Sequence, residues 1–314
     1  MTTMITGAGL IGTSYAKHAL RRGQKVVFVD PICHEEYLKR QLGRTENYVF
    51  LNEDVRSLTG IIKIIKDYKV DSLLHTASVI GKKAGDRIDY GYDLNVGGTL
   101  SIANAVRLTG IQRVVHISTF GAYDWRKIKT GPVKEDNFLG SGAPYSNSKV
   151  AQEKIWEAFA INADFKVVML RLANTFGVGH FWSGSEGGKK FQDLLLAGIK
   201  GETAKIPEEQ TMDFSYVYSK DVGRAIDQAM LADSPKEIVF NIGYEVIHSF
   251  NDLVLGAQKH LPNLKVEIVP GTKPVNRALP LDCSRARKVL DWLPEYNFDE
   301  AIEDYVYDLR KFVK

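Results

Sequence analysis

The chain has 314 residues, is 44% hydrophobic, and sets 41 Lys and Arg against 38 Asp and Glu for a formal charge of +3. That length and apolar content can build a substantial core, enough for one larger domain and a smaller lobe. So small a net charge, with basic runs no longer than pairs such as Lys82-Lys83, argues against a nucleic-acid partner, and no apolar run approaches a membrane span.

In chain order, the first element is an apolar strand at 4–6. It runs into Gly7-Ala8-Gly9-Leu10-Ile11-Gly12 and a helix through Arg22 that stops at Gly23. Glycines at 7, 9 and 12 permit a tight turn, close backbone approach to a pyrophosphate, and close helix packing. With Leu10 and Ile11 they form a loop whose helix N-terminus turns free N–H groups toward phosphates. A second strand at 26–30 ends on Asp30, 18 residues after Gly12, the expected place for a carboxylate that accepts the ribose hydroxyls of NAD. Asp30 would repel a 2′-phosphate and Pro31-Ile32 offer it no arginine, so NAD is favoured over NADP.

Further strands at 48–51, 71–76, 113–118 and 166–171 alternate with helices, among them 95–108 and 146–161. This βα order predicts an α/β fold with a Rossmann-type, doubly wound parallel sheet. The strand at 113–118 leads to Ser118-Thr119, and 26 residues after Thr119 comes Tyr145-Ser146-Asn147-Ser148-Lys149. A tyrosine and a lysine four apart share one helix face. An ammonium beside a phenol favours phenolate, so Tyr145 is a candidate acid or base, its pKa lowered by Lys149. The Thr119 hydroxyl is a candidate to hold the same substrate oxygen, and strand alternation lets only one of Ser118 and Thr119 face the site.

Other polar residues are less telling. His75 and His116 sit at strand ends and are expected to pack. His180, in the glycine-rich loop stretch after Asn174, is as well suited to the surface as to a substrate. Lys189-Lys190 are placed just ahead of a helix, where they could meet an anion; Tyr123 and Trp125 could wall a pocket or pack. No histidine or cysteine spacing suits a metal, so none is expected. Cys33 and Cys283 read as free thiols. With a first strand so close to Met1 there is no room for a leader, and a cytoplasmic location is expected.

With these residues in hand, the chain resembles an extended short-chain dehydrogenase/reductase of the NAD-dependent epimerase/dehydratase family nearly end to end. Asn52-Glu53-Asp54-Val55 resembles the family's acidic-apolar pair, which implies adenine contacts for Asp54 and Val55. His75-Thr76-Ala77-Ser78 resembles its H-x-A-A segment, which places Thr76, Ala77 and Ser78 along the cofactor and Ser78 near substrate. Asn95-Val96-Gly97-Gly98-Thr99 resembles N-V-x-G-T, whose asparagine supports the site and is grouped with the cofactor residues. Arg171-Leu172-Ala173-Asn174-Thr175-Phe176-Gly177 resembles R-x-x-N-x-x-G, making Asn174 a substrate-positioning candidate. Asp282-Cys283-Ser284-Arg285-Ala286 then Leu290-Asp291-Trp292-Leu293-Pro294 resembles the C-terminal D-x-S-x-A…L-G-W-x-P segment. Arg277, shortly before it, is a candidate for a substrate phosphate or carboxylate. The resemblance also selects Thr119 over Ser118 and gives Lys149 the nicotinamide ribose.

It further implies an NAD-binding Rossmann domain of 1–177 plus 215–242, a mixed α/β substrate lobe of 178–214 plus 243–314, and a homodimer built on helices 95–108 and 146–161. Three departures stand out. The glycine loop is one residue shorter than the family's T-G-x-x-G-x-x-G. Met212 precedes Asp213-Phe214 where many sugar-nucleotide enzymes have an arginine for the diphosphate. Phe120-Gly121 follow Thr119 where dehydrating relatives carry Asp-Glu, so a 4,6-dehydratase is not expected. The expectation is an NAD-dependent epimerase or oxidoreductase of a sugar or sugar nucleotide, using Thr119, Tyr145 and Lys149 for reversible hydride transfer at a carbinol carbon. The alternatives are a net dehydrogenase of a sugar, sugar acid or other secondary alcohol and, less favoured, a non-catalytic NAD sensor.

Overall fold

A computed structural model describes the chain except at positions 163, 183, 234, 275–277 and 314. Its first half alternates as the sequence predicts: β1 (Thr2–Thr6), α1 (Leu10–Arg21), β2 (Lys25–Val29), α2 (Glu35–Leu42), β3 (Tyr48–Leu51), α3 (Leu58–Asp67) and β4 (Ser72–His75). Two short helices, α4 (Gly81–Asp86) and α5 (Ile88–Tyr92), lead through a π turn at Asp93–Gly97 into α6 (Gly98–Thr109). β5 (Arg113–Thr119), α7 (Pro144–Asn162) and β6 (Lys166–Leu172) complete the run.

These strands and β10 (Val239–Ile242) form one seven-stranded sheet in the order β10-β6-β5-β4-β1-β2-β3, every pair parallel. Parallel strands covered on both faces are near-continuously apolar, and β2 and β6 largely read that way, whereas β1 is buried throughout but carries three threonines. Successive residues point to opposite faces. Met4, Val27, Leu73 and Val114 therefore pack with Ile61, Ile102 and Trp156 from α3, α6 and α7, while Ile5, Phe28, Leu74 and Val115 belong to the other core with Tyr15 and Ala16 of α1. The order reverses between β1 and β4, so the carboxyl ends of those two strands open a crevice, where open α/β sheets bind ligands.

Beyond β6 come β7 (Asn174–Phe176), α8 (Glu186–Lys200), β8 (Thr203–Pro207), β9 (Phe214–Tyr218) and α9 (Ser219–Leu231), then β10. β11 (Ile247–His248), α10 (Phe250–His260), β12 (Lys265–Val269), α11 (Ser284–Leu290) and α12 (Phe298–Arg310) follow. β9 does not enter the large sheet; it pairs with β7 and β11, while β8 and β12 form a separate parallel pair. Only β10 returns to the edge of the seven-stranded sheet, beside β6. Aromatic side chains from beyond β6, Phe176, Phe191, Tyr216, Tyr218 and Tyr305, share the α1-side core with Tyr15 and Phe28.

Candidate active site

The glycine loop after β1 is held by backbone geometry. Gly7 has φ +96°, a region that L side chains avoid, and a Cβ there would lie 2.4 Å from Thr76 Oγ1 at the end of β4. A Cβ on Gly12 would lie 2.2 Å from the Gly7 carbonyl oxygen, so the first turn of α1 sits directly on the loop. Gly9, the N-cap of α1, has nothing within 4 Å of a built Cβ and opens onto empty space. Leu10 and Ile11 begin the helix, where free N–H groups and the helix dipole favour an anion. The one-residue shortening of the loop leaves this anion seat formed.

Asp30, just past β2, turns back to the same place. Its Oδ2 accepts the Ala8 N–H at 3.0 Å and its Oδ1 the Ile32 N–H at 3.0 Å. A carboxylate accepts more than two hydrogen bonds, so acceptor capacity remains for ribose hydroxyls. Across the crevice, Thr76 donates its hydroxyl to the Thr6 carbonyl at 2.6 Å, and its N–H also reaches Thr6. The buried Ser78 Oγ has no partner among the described residues. An open cradle at Gly9, a carboxylate beside it and an orphaned hydroxyl opposite are a donor set that fits a dinucleotide. On the outer side, Val55 is buried against Gly98, and the Asp54 carboxylate is bound by Arg56.

At the next sheet edge, β5 and α7 bring the predicted chemistry together. The Thr119 hydroxyl lies near the Tyr145 phenol, where it favours phenolate, and accepts the Gly121 N–H at 3.1 Å. Ser118 points the other way and donates to the buried Glu153 carboxylate. One turn beyond Tyr145, Lys149 is 2% exposed and donates to the Ile117 carbonyl at 2.9 Å. One expectation is corrected here. In the protein itself Lys149 does not lower the Tyr145 pKa: burial raises the phenol above its ordinary range, and only the Thr119 hydroxyl opposes it. The lysine is instead pressed down to about 7 by its own burial, with Glu153 pulling it back up.

Asn95 lies in the π turn, a distortion often found at functional sites. Its amide nitrogen donates to the Val79 carbonyl at 2.9 Å and to Ser148 Oγ at 3.0 Å, and its oxygen accepts the Val79 N–H at 2.7 Å. It thus ties the segment after β4 to the helix of Tyr145 and Lys149, and no direct cofactor contact is needed to explain it. Below it, Gln152 donates to the Asn95 carbonyl at 2.7 Å and to Thr99 at 2.6 Å. His75 spans Thr6 at 2.7 Å and Thr99 at 2.9 Å, its pKa lowered to about 3 by burial. His116 is fully buried and stacked on His75, as the packing reading expects.

Several side chains depart from their sequence expectation. His180 is buried under the loop before α8, its Nε2 3.2 Å from the Thr175 carbonyl, so it is neither a surface nor a cleft histidine. Lys189 and Lys190 lie inside α8 rather than ahead of it. Lys189 pairs with Asp193 on the surface, whereas Lys190 is buried between the Phe214 and Phe250 rings and donates to the Gln210 carbonyl at 2.6 Å. Asn174 is 3% exposed and accepts the hydroxyl of Ser185, the N-cap of α8. Tyr123 packs, its hydroxyl on Asn241 at 2.6 Å. Arg277 lies outside the described residues. Among the described residues no His, Cys, Asp and Glu group could hold a metal, and no helix is long and apolar enough to cross a membrane. Cys33 and Cys283 are unpaired.

Residues 3–243 match the model of the NAD dependent epimerase/dehydratase family. A UDP-glucose 4-epimerase of Mycolicibacterium smegmatis is 29% identical over 320 residues, covering 96% of each chain. Among solved structures, UDP-glucose 4-epimerase of Thermotoga maritima with UDP-glucose aligns over 100% of both chains, with a TM-score of 0.87 and 24% identity. The UDP-glucose 4-epimerase of Thermus thermophilus in complex with NAD likewise covers both chains fully, with a TM-score of 0.84 and 21% identity. At such identities the solved structures speak to the fold alone.

Proposed function

Because the chain belongs to the NAD-dependent epimerase/dehydratase family, we propose that it is an NAD-dependent epimerase acting on a sugar nucleotide by reversible hydride transfer at a secondary carbinol. The observation that carries this reading is the placing of Thr119 at the end of β5 and of Tyr145 one helical turn from the buried Lys149, which donates to the Ile117 carbonyl, at the carboxyl edge of the sheet beside the glycine loop. Bound NAD supplies the hydride acceptor and donor. Gly7, Gly9 and Gly12 with Leu10 and Ile11 seat its pyrophosphate, and Asp30 accepts its adenosine ribose hydroxyls. Asp54, Val55, Thr76, Ala77 and Ser78 line the remainder, and Asn95 holds that lining against α7. Tyr145 takes and returns the hydroxyl proton, Thr119 fixes the oxygen it comes from, and Lys149 holds the ribose. Asn174 keeps the start of α8 in place over the substrate side, and Arg277 is assigned to a substrate anion.

The test has two parts. Protein is denatured and the released cofactor measured, then native protein is incubated with UDP-glucose and the mixture resolved for its C4 epimer. Stoichiometric NAD together with the epimer supports the reading. An empty site with steady NADH formation from sugars or sugar acids supports the net dehydrogenase instead. One observation favours that second reading: the turn before β9 carries Met212, and its Gln210 carbonyl already receives the buried Lys190. A homodimer belongs to the same proposal, since α6 and α7 leave Leu100, Leu108 and Ile161 exposed; light scattering on the purified protein checks it.

Asp30→Ala is expected to weaken NAD binding about tenfold or more and to narrow the preference over NADP, because the carboxylate that repels a 2′-phosphate is gone. Titration of each dinucleotide against the variant measures this. An unchanged preference means that another group reads the ribose.

A further inference from the structure

A buried charged cluster beneath the site has no part in the chemistry above. α7 places Tyr145, Lys149 and Glu153 four residues apart in turn, on one face of the helix. Glu153 is fully buried and receives Arg171 through two bonds, Nε at 2.9 Å and Nη2 at 2.6 Å, with the Ser118 hydroxyl on the same carboxylate. Ser118 and Arg171 are opposite partners in the β5–β6 register, so one carboxylate ties α7 to both strands. The guanidinium is itself fixed, with Nη1 on the Glu135 carbonyl at 2.8 Å and its carbon 4.9 Å from the Tyr123 ring centre. The Ile117 carbonyl that receives Lys149 precedes Ser118 in the chain, so β5 anchors the lysine and the carboxylate through consecutive residues.

We propose that Ser118, Glu153 and Arg171 form a positioning unit for Lys149, in which strand and guanidinium hold the Glu153 carboxylate and the held carboxylate governs the charge on the lysine. Around Lys149 stand Tyr145 and Glu153 on its own helix, His75 from β4, His116 from β5, and Arg171 from β6 beyond Glu153. Glu153 favours the ammonium, whereas His75 and His116 would oppose it if charged, and burial keeps both rings neutral. Arg171 tempers the carboxylate's pull. Burial works against the ammonium, so the held carboxylate decides how far the proton affinity of Lys149 falls.

The inference deepens the role given to Lys149 above, and its test needs no substrate. Lysine side chains labelled at Cε are titrated by NMR in the full-length protein, with the Lys149 signal assigned by its loss in Lys149→Met. Wild-type Lys149 is expected to titrate well below the surface lysines. Glu153→Gln should lower its proton affinity about tenfold or more, since it removes the opposite charge and leaves Arg171 unbalanced. Arg171→Lys should move it the other way, because a single ammonium grips Glu153 less completely. Opposite shifts support the unit. A folded Glu153→Gln protein with Lys149 titrating as in wild type overturns it, as does a lowered melting temperature in both variants with no shift in either. If Glu153→Gln does not fold, Arg171→Lys decides by the sign of its shift. A wild-type Lys149 that titrates with the surface lysines overturns the proposal without any variant. Loss of the epimerase reading alone would leave these titrations unchanged.

Discussion

Tyr145→Phe is expected to cut turnover by about 10²–10⁴-fold while NAD stays bound and the melting temperature holds. The variant removes one oxygen and keeps the ring. Within the protein that oxygen lies near the Thr119 hydroxyl, which retains the Gly121 N–H, so the substitution strands no buried donor of consequence. What disappears is the atom that carries the proton. A phenol is protonated at neutral pH, and burial moves its ionisation to still higher pH in the protein alone. The direction of reaction that removes a proton should therefore quicken as pH rises, until the phenol has ionised. Turnover with UDP-glucose across a pH series, alongside cofactor content after denaturation, checks both statements. Full activity in Tyr145→Phe would sink the acid/base assignment. An inactive variant that has also lost NAD would point to a structural role for the ring instead.

The parts legible in the sequence are those whose signal is local. The helical period puts Tyr145 and Lys149 on one face, and the end of a buried strand followed by glycines marks the loop at Gly7 to Gly12. The same alternation gives the first six strands within a few residues. What the sequence hid is tertiary. Glu153 continues the Tyr145–Lys149 spacing by one more turn, a sign available in the sequence, but its partner Arg171 comes from a strand that lies beside it only in three dimensions. Burial reverses the expected effect on Tyr145, and burial cannot be read from a four-residue spacing. The pairing of β9 is equally hidden, since its hydrogen-bond partners β7 and β11 are only three and two residues long. Such short strands have too few residues for alternation to register. Lys190 reads, with Lys189, as a cation ahead of a helix that could meet an anion, and only the packing of Phe214 and Phe250 around it shows otherwise.

Gly9→Ala and Gly12→Ala, compared side by side, separate the demands of the cofactor from those of the fold. At Gly9 the backbone is extended, φ −89° and ψ −159°, which any residue adopts, and a new Cβ meets nothing within 4 Å. Folding stability should therefore change by no more than about 0.5 kcal/mol, as at an unconstrained surface site. The methyl group would nevertheless stand in the cradle where the pyrophosphate must approach the backbone, so NAD affinity should fall about tenfold or more. At Gly12 the new Cβ would lie 2.2 Å from the Gly7 carbonyl and 3.0 Å from Ile5 Cγ2. That carbonyl has no easy retreat, because the Gly7 N–H is bonded to the Val29 carbonyl at 2.9 Å and Thr76 Oγ1 lies where a Gly7 side chain would stand. Gly12→Ala should cost about 1–3 kcal/mol of stability and lose NAD as well. Urea melts and dinucleotide titration on both variants read the two effects independently. Unaltered NAD affinity in a folded Gly9→Ala protein would remove the loop from the binding site, whereas damage at Gly12 alone would show only that the helix must pack close to the loop.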